Sequence, residues 1–271
     1  MTAVMSGAVR MLDRCLYDLL VLLQHWSDRH YRDWYFNHSR RLAVFRDLHR
    51  GQDCFIIGNG PSLNKLDLRE LNGYHTFGLN KIYLMFDRVG LDISYYVSVN
   101  KLVIDQSINE LMKMKCPCFL SYGAAGGLKS NSNMYLLATD SYFEAPYTFH
   151  RDLAGPITEG YTVTYVALQI AYYMGFERIF LIGVDHEFHA VGAPNDEQLM
   201  AGEDRNHFDP RYFMNCSWNL PDLEASELSY HLARFFFSRN GRTVYDATAG
   251  GKLTIFPKIS FEQALGMCRK K

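Results

Sequence analysis

The chain lacks the features that mark membrane-spanning and nucleic-acid-binding proteins. It has no run of about 18 uninterrupted apolar residues, so no spanning helix is expected. It has no excess of basic side chains, since 28 Lys and Arg are balanced by 29 Asp and Glu. A general basic surface is therefore absent, and no nucleic-acid partner is predicted. No signal peptide is evident, which favours a cytoplasmic location.

The cysteines follow neither a disulfide framework nor a zinc-binding spacing. There are six, at Cys15, Cys54, Cys116, Cys118, Cys216 and Cys268. One close pair exists, without a second pair at the spacing of a zinc site. A further set of potential ligands matches no recognised pattern and consists of Asp185, His186, Glu187 and His189. Neither a metal nor a cofactor is predicted, and the cysteines are expected to be free thiols.

From residue 53 onward, strands alternate with helices. The predicted strands are Cys54–Ile57, Thr76–Leu79, Tyr95–Val99, Cys118–Ser121, Arg178–Gly183 and Thr243–Asp246. The predicted helices are Leu66–Leu71, Thr162–Met174 and Leu223–Arg239, and residues 128–150 have a mixed pattern. This alternation predicts an α/β, Rossmann-like, doubly wound and mainly parallel sheet over residues 51–271. The long polar stretch at about 186–220 is typical of a lid loop.

Residues 1–50 are predicted to form an N-terminal helical extension. Leucines recur at helical spacing up to Trp26, and an aromatic and basic stretch follows from His30 to Arg41. The favoured interpretation is a helix that packs on its own domain or on a second copy of the chain. The alternative is an interfacial helix at the inner membrane, which the acidic residues of the segment argue against.

The sequence around Gly58-Asn-Gly-Pro-Ser62 predicts a ligand-binding turn directly after an apolar strand. Gly58 and Gly60 permit positive φ and a close approach of a phosphate or sugar. Asn59 and Ser62 add uncharged hydrogen-bonding groups. The turn matches neither the GxGxxG fingerprint nor the P-loop, and a sharp structural turn is the alternative interpretation.

Polar side chains follow three further strands. Asn80 and Asn100 end the second and third strands, and Asp185 follows the strand at Arg178–Gly183. In a parallel sheet these ends converge on one crevice, so together with Asn59 they predict a site rather than isolated turn residues. Thr162 opens a helix, where it could bind an anion or simply act as a cap.

His207 is the preferred proton-transfer residue, although a lone histidine is more often structural. It lies in the lid, where Arg205, Arg211 and Tyr212 are candidate contacts for an anionic substrate. His186 and His189 are rival histidines.

Several of these motifs resemble the bacterial lipooligosaccharide sialyltransferases. The similar segments are Gly58–Leu63 with Asn80-Lys-Ile-Tyr83, Thr162 to Asp185, and Asn206-His207-Phe208. The same blocks, with the tail Tyr245–Phe256, resemble a broader superfamily. It contains the 6-hydroxymethylpterin diphosphokinase-like domains and the motility-associated flagellin glycosyltransferases. The resemblance covers about residues 52–260.

This resemblance implies a variant of the GT-A fold and a glycosyltransferase with a nucleotide-sugar donor and a glycan acceptor. The donor would be a CMP-activated sialic or other nonulosonic acid, transferred with inversion and without a metal. His207 would be the general base. The donor-binding residues would be Gly58, Asn59, Gly60, Ser62, Asn80, Asn100, Thr162 and Asp185.

The chain also departs from the sialyltransferase pattern. His186 stands where a tyrosine is expected, and Val163 stands where a serine is expected. Two alternatives therefore stay open. One is a pyrophosphokinase that uses ATP and Mg²⁺ with Asp185 and Glu187 as ligands. The other is a nucleotide-binding module without catalysis. The oligomeric state is also open, and the aromatic N-terminal segment makes self-association plausible.

Overall fold

The computed structural model describes residues 23, 27–128, 131–139, 148–189 and 191–271. Its strands are β1 Asp53–Ile57, β2 His75–Leu79, β3 Tyr95–Ser98, β4 Cys118–Ser121, β5 Met134–Leu137, β6 Arg178–Ile182, β7 Glu197–Leu199, β8 Ser217–Asn219 and β9 Thr243–Asp246. Seven of them form one sheet in the order β5-β4-β3-β2-β1-β6-β9, and every pair in it is parallel. The predicted α/β fold with a doubly wound parallel sheet is confirmed.

The α-helices are α1 Arg29–Asn37, α2 Phe86–Val89, α3 Lys101–Gln106, α4 Ile108–Leu111, α5 Tyr122–Ala125, α6 Val163–Tyr173, α7 Leu223–Arg239 and α8 Phe261–Met267. Short 3₁₀ helices cover Ser39–Phe45, Pro61–Lys65, Leu68–Leu71 and Ile82–Met85. Every residue of α6 after Val163 is buried, because this helix lies between the sheet and α7. It ends at Gly175, whose φ of +91° suits a left-handed terminator, as the sequence predicts.

The strand order places a crevice between β1 and β6. From β1 the chain adds β2 to β5 outward on one side, and then returns to add β6 and β9 on the other. Adjacent loops therefore leave the sheet in opposite directions at the carboxyl ends of β1 and β6. Open α/β sheets bind their ligands at such a switch point. Both strands are almost entirely buried, which fixes the position of the loops that follow them.

The described part of the N-terminal segment packs on the sheet of its own chain. Trp34 is fully buried and its Nε1–H donates to the carbonyl of Leu136 at 2.8 Å. Phe45 packs edge-on against Phe119 and Tyr135. The leucine pattern before residue 27 lies outside the described residues, apart from Leu23. In the described part of the chain, no helix combines the length and apolarity needed to cross a membrane.

Two elements differ from the sequence prediction. Strand β5 occupies part of the mixed stretch 128–150, of which 129–130 and 140–147 lie outside the described residues. The lid segment contains the antiparallel hairpin β7–β8 instead of loop alone. Both strands of the hairpin are partly exposed, so they lack the apolar pattern by which a buried strand is predicted.

Candidate functional site

A cleft runs along the carboxyl edge of the sheet, and we divide it into two lobes. The first lobe lies over the ends of β1 and β6, beside the N-termini of α6 and α7. The second lobe lies over the ends of β2 and β3 and beneath the hairpin β7–β8. Side chains or backbone shared by both lobes join them into one cleft: Asn59, Thr162, Val163, His207, Trp218 and Pro221.

The two glycines of the turn are required by the neighbouring strand, and neither adopts positive φ. A Cβ on Gly58 would lie 2.3 Å from the carbonyl oxygen of Gly183. A Cβ on Gly60, whose φ is −69°, would lie 1.9 Å from Oδ2 of Asp185. The positive φ that glycine permits is therefore not used here, and the observed close approach is to the end of β6. Both glycines nevertheless line the first lobe.

Asp185 fastens the turn to β6. Its carboxylate accepts hydrogen bonds from the Ser62 backbone N–H at 3.1 Å and from the Ser62 hydroxyl at 2.6 Å. Burial raises the pKa of Asp185, and the hydrogen bonds from Ser62 oppose that rise. Asp185 lines the first lobe, whereas Ser62 is buried behind it and lines neither lobe.

Asn59 is the predicted residue with an unused hydrogen-bonding atom. Its Oδ1 is buried and has no partner within the described structure. An unpaired buried acceptor costs roughly 1–3 kcal/mol unless something donates to it. The Asn59 carbonyl accepts from the Phe208 N–H at 3.0 Å, which ties the turn to the lid. The side chain lines both lobes, so a ligand donor in the cleft could satisfy it.

Asn80 and Asn100 both line the second lobe, as the sequence predicts for one edge of a parallel sheet. Asn80 has φ of +47° and accepts from the Ser98 hydroxyl at 3.1 Å. Asn100 caps α3, because its Oδ1 accepts from Val103 N–H at 3.2 Å. Its Nδ2 donates a long hydrogen bond of 3.4 Å to Oδ1 of Asn219 in the hairpin. Capping and a cleft-facing amide are thus combined in one residue.

Thr162 caps α6 and lines both lobes. Its Oγ1 accepts from the Thr164 N–H at 3.3 Å. Burial raises the pKa of the phenol of Tyr230 on α7, and the nearby hydroxyls of Thr162 and Thr164 oppose that rise. The N-terminus of α6 borders both lobes, and the helix dipole favours negative charge there.

His207 is paired with a buried carboxylate. Its Nδ1 lies 2.7 Å from Oδ2 of Asp204, whose side chain is fully buried. The carboxylate accepts the proton of Nδ1, which leaves the lone pair on Nε2. Nε2 has no hydrogen bond to any described residue, and the side chain is 14% exposed at the junction of the two lobes.

Aromatic rings hold the imidazole of His207 in place. The ring of Tyr212 stacks on it with centroids 3.9 Å apart and an interplanar angle of 2°. Phe213 and Trp218 meet it edge-on at 5.2 and 5.8 Å. The His207 ring can therefore rotate little, which suits a base that must meet a substrate proton at a fixed place.

Of the three candidate anion contacts, Tyr212 lines the second lobe and the two arginines lie outside both lobes. Tyr212 is buried, and its hydroxyl accepts from the Lys81 N–H at 3.3 Å. Lys81 Nζ also donates to the Tyr212 carbonyl at 2.6 Å. Arg211 pairs with Asp209 through two hydrogen bonds of 2.9 and 2.7 Å. Arg205 is exposed, and neither arginine lines the described lobes. Their role in substrate binding stays a prediction.

The rival histidines have different surroundings. His186 lines the first lobe and its Nε2 lies 2.8 Å from Oε1 of Glu227. His189 is 73% exposed and lines neither lobe. His186 adopts φ of +55°, which is uncommon for a residue with a Cβ. Asn80 shares this left-handed conformation in the second lobe, so backbone strain accompanies the cleft on both sides.

The carboxylates near the first lobe have partners of their own. Glu187 pairs with Lys252, and Asp222 caps α7 through the Ala225 N–H at 2.9 Å. Among the described residues, no group of three or more His, Cys, Asp or Glu side chains could hold a metal ion. The donor set here does not fit a preformed magnesium site, for which several free oxygen ligands would be required.

Sequence reasoning missed Asp204 and Trp218. Asp204 precedes His207 by three residues, and this Asp-x-x-His spacing could have indicated a paired carboxylate. Trp218 lines both lobes from β8, a strand too short and too exposed to be predicted.

Comparison with known proteins supplies the family. A model of the family described as 6-hydroxymethylpterin diphosphokinase MptE-like matches residues 29–190, which is more than half of the chain. No curated protein matches. The match begins before the region of resemblance at 52–260, so it includes helix α1.

Among solved structures, the chain is similar to that of the MAf glycosyltransferase from Magnetospirillum magneticum AMB-1. The identity is 13% and the TM-score is 0.51, which shows a shared fold. The alignment covers 89% of this chain and 39% of that one, so this chain spans well under half the length of that protein. The predicted place in the broader superfamily is confirmed, and the chain belongs to the 6-hydroxymethylpterin diphosphokinase MptE-like family.

Proposed function

We propose that this chain is an inverting glycosyltransferase that transfers a sugar from a nucleotide-activated donor to a hydroxyl of a glycan acceptor. The observation that carries the proposal is the Asp204–His207 pair, which offers a free Nε2 at the junction of a two-lobed cleft. A base between two lobes suits a reaction that brings together two substrates. The likeness in fold to a glycosyltransferase agrees with this assignment.

The chemistry follows from the position of His207. The acceptor oxygen forms a bond to the anomeric carbon while the bond from that carbon to the phosphate oxygen breaks. The electron pair of the broken bond leaves with the nucleotide, and the acceptor proton passes to Nε2 of His207. Asp204 stabilises the resulting imidazolium through Nδ1, as a buried carboxylate does in other histidine pairs. Attack from the face opposite the leaving group inverts the anomeric centre.

The nucleoside fits the second lobe best. Asn59, Asn80 and Asn100 supply neutral amides, and the unpaired Oδ1 of Asn59 accepts a ligand donor such as a ribose hydroxyl or a base amino group. Trp218 supplies an aromatic face from the hairpin. We propose a CMP-activated sialic or other nonulosonic acid as the donor, bound without a metal ion. This choice of nucleotide and sugar follows the sequence resemblance of the strand-end motifs.

The first experiment is calorimetric titration of CMP and ATP, each with and without Mg²⁺. The proposal expects CMP binding that does not depend on Mg²⁺. ATP binding that requires Mg²⁺ would instead support the pyrophosphokinase alternative, which the family description fits in part. Binding of neither nucleotide would contradict both. Binding of CMP without transfer from any CMP-sugar would favour a non-catalytic module.

The role of His207 is tested by His207→Ala. General-base catalysis contributes about 10²–10⁴ in rate, so a loss of that size in kcat is expected with unchanged CMP affinity. The matched control is His189→Ala, since His189 belongs to the same lid segment but is exposed and outside the lobes. A normal transfer rate in His207→Ala would refute its catalytic role.

A further inference from the structure

We propose that Lys81 is a positioning residue for the base of the reaction, because it holds the aromatic rings against which the imidazole of His207 packs. This inference rests on the proposed glycosyl transfer, in which His207 takes the proton of the acceptor hydroxyl. Lys81 directly follows Asn80 at the carboxyl end of β2, yet it lines neither lobe of the cleft. It does not reach a substrate in these lobes, so its effect on the reaction passes through the lid.

Lys81 is buried, with 6% of its surface exposed. Lysine is almost never buried without partners, because its charged group loses its hydration. Its Nζ donates to the backbone carbonyl of Tyr212 at 2.6 Å and to Oε1 of Gln106 at 2.8 Å. Burial lowers the pKa of Lys81, whereas the nearby Cys216 and Asp204 oppose that decrease. Neither hydrogen-bond partner of Nζ is a carboxylate, so the lysine contributes a fixed link between segments rather than an ion pair.

The lid supplies most of the surroundings of this ammonium group. Nζ of Lys81 lies 4.8 Å from the centroid of the Phe213 ring and 5.6 Å from that of the Tyr212 ring. A cation is attracted to the face of an aromatic ring within about 6 Å. The backbone N–H of Lys81 also donates to the Tyr212 hydroxyl at 3.3 Å. One residue at the end of β2 therefore contacts the carbonyl, the ring and the hydroxyl of Tyr212.

Both rings next to Nζ also contact His207. Tyr212 stacks on the imidazole with centroids 3.9 Å apart, and Phe213 meets it edge-on at 5.2 Å. The two rings pack edge-on against each other at 4.8 Å. We call Tyr212 and Phe213 the platform. Displacement of the platform would let the imidazole turn, and Nε2 would then leave the place at which it meets the acceptor proton.

Other hydrogen bonds hold the lid backbone on either side of the platform. Before it, Asn64 Nδ2 donates to the Phe208 carbonyl at 2.8 Å. After it, Gln106 Nε2 donates to the Ser217 carbonyl at 2.7 Å, which joins α3 to the start of β8. The lid is therefore expected to stay on the sheet when Lys81 is replaced. Loss of the lysine should loosen the platform rather than detach the lid.

An apolar side chain could fill the space of Lys81 but could not make its hydrogen bonds. Methionine is similar in length and has no N–H donor, so Lys81→Met would leave the Tyr212 carbonyl without the donor that now holds it. Replacement of buried charged groups by apolar ones of similar volume is often neutral or stabilising for the fold. Lys81→Met therefore separates the position of the platform from the stability of the chain, and its urea midpoint should not fall below that of the wild type.

The first test needs no substrate. The ring current of the stacked Tyr212 shifts the Hε1 NMR signal of His207 upfield, and the signal that disappears in His207→Ala is assigned to this residue. In Lys81→Met the signal should move toward its position in Tyr212→Leu, which lacks the stacked ring. Lys101→Met is the matched control, since Lys101 is exposed and pairs with Asp105, and the signal should not move there. An unchanged signal in Lys81→Met would overturn the inference and leave the proposed function intact.

Kinetics provide the second readout. Displacement of a reacting group by about 1 Å can cost about 100-fold in rate, so kcat should fall roughly 10- to 100-fold in Lys81→Met, while CMP affinity should change by less than about threefold. In the His207→Ala background the same substitution should cause no further loss, because the lysine acts through the base. An equal loss of kcat in both backgrounds would overturn the inference. So would a loss of CMP affinity as large as the loss of kcat.

Tyr212 offers a second pair of variants that does not depend on the folding of Lys81→Met. Tyr212→Phe keeps the stacked ring and the backbone carbonyl that Nζ binds, so kcat should stay within about threefold of the wild type. Tyr212→Leu removes the ring and should lose as much as Lys81→Met. Equal kcat in the two Tyr212 variants would overturn the inference. Absence of transfer by the wild type from any CMP-sugar would instead overturn the proposed function, and the His207 signal would still decide whether Lys81 holds the platform.

Discussion

The two edges of the sheet use polar residues in opposite ways. At the amino edge, the fully buried Asp53 accepts two hydrogen bonds from the guanidinium of Arg178 and one from the Arg269 N–H. At the carboxyl edge, Asn59 Oδ1 and His207 Nε2 have no partner among the described residues. The same sheet thus has a closed hydrogen-bond network at its amino edge and unused acceptors at its carboxyl edge.

The difference separates stability from function. A buried ion pair whose hydrogen-bonding atoms are all used has none left for a ligand. Removal of one partner would leave the other charge uncompensated. An unused buried acceptor lowers stability unless a ligand is bound. The amino edge should therefore tolerate substitution poorly in folding assays, and the carboxyl edge should tolerate it poorly in binding and turnover assays. Four substitutions test this division.

The largest effect is expected from Asp204→Asn at the carboxyl edge. An amide cannot favour the Nδ1–H tautomer of His207 as a carboxylate does, so kcat should fall by roughly 100-fold or more. The double variant Asp204→Asn/His207→Ala should be no slower than His207→Ala alone, because the two residues act as one unit.

The control is Asp209→Asn, which alters a second lid carboxylate whose partner is Arg211 outside the lobes. Its kcat should stay close to that of the wild type. Additive losses of kcat in the Asp204–His207 double variant would contradict the proposed coupling between the two residues. They would also weaken the functional contrast between the two edges of the sheet.

At the amino edge, Asp53→Ala should lower the free energy of unfolding by about 1.5–3 kcal/mol, because the part-exposed guanidinium of Arg178 and the backbone N–H of Arg269 lose a buried charged acceptor. Urea denaturation measures this loss, and the folded fraction should bind CMP with unchanged affinity. Asp105→Ala is the control, since its exposed pair with Lys101 is worth only about 0.3–0.5 kcal/mol. A large loss of CMP affinity in Asp53→Ala would show that the edges are not independent.

Gly60→Ala tests the contact between the turn after β1 and Asp185, which follows β6. Its Cβ would overlap Oδ2 of Asp185, so a loss of about 1–3 kcal/mol is expected from displacement of the turn. Gly127→Ala, where a Cβ meets nothing within 4 Å, should be close to neutral. In a double-mutant cycle, Asp185→Ala should relieve part of the cost of Gly60→Ala. Fully additive losses would exclude the predicted overlap.

The sequence predicted the parts that depend on local patterns. Apolar runs such as Ile179–Ile182 predicted the strands, and parallel strands bring Asn59 and Asn80 to one edge whatever their detailed packing. Local sequence patterns could not predict contacts between distant segments. The overlap of Gly60 with Asp185 joins residues 125 positions apart, and the stacking of Tyr212 on His207 depends on a lid turn that no periodicity marks.

The smallest effect concerns His75, an exception at the amino edge because its Nε2 is buried without a partner. Burial, with His49 and Lys271 nearby, lowers its pKa from 6.5 to about 4. As the pH falls, the unfolded chain therefore binds the proton before the folded chain does. The contribution of neutral His75 to stability is complete above pH 6.5 and is lost as the pH falls toward 4.

Between pH 7 and 5, His75→Phe should lose less stability than the wild type, by on the order of 1 kcal/mol after allowance for partial exposure. Urea midpoints at the two pH values measure the difference, with the exposed His231→Phe as control. An identical pH response in His75→Phe and the wild type would mean that His75 is solvated, and the amino edge would then have no unpaired buried group at this position.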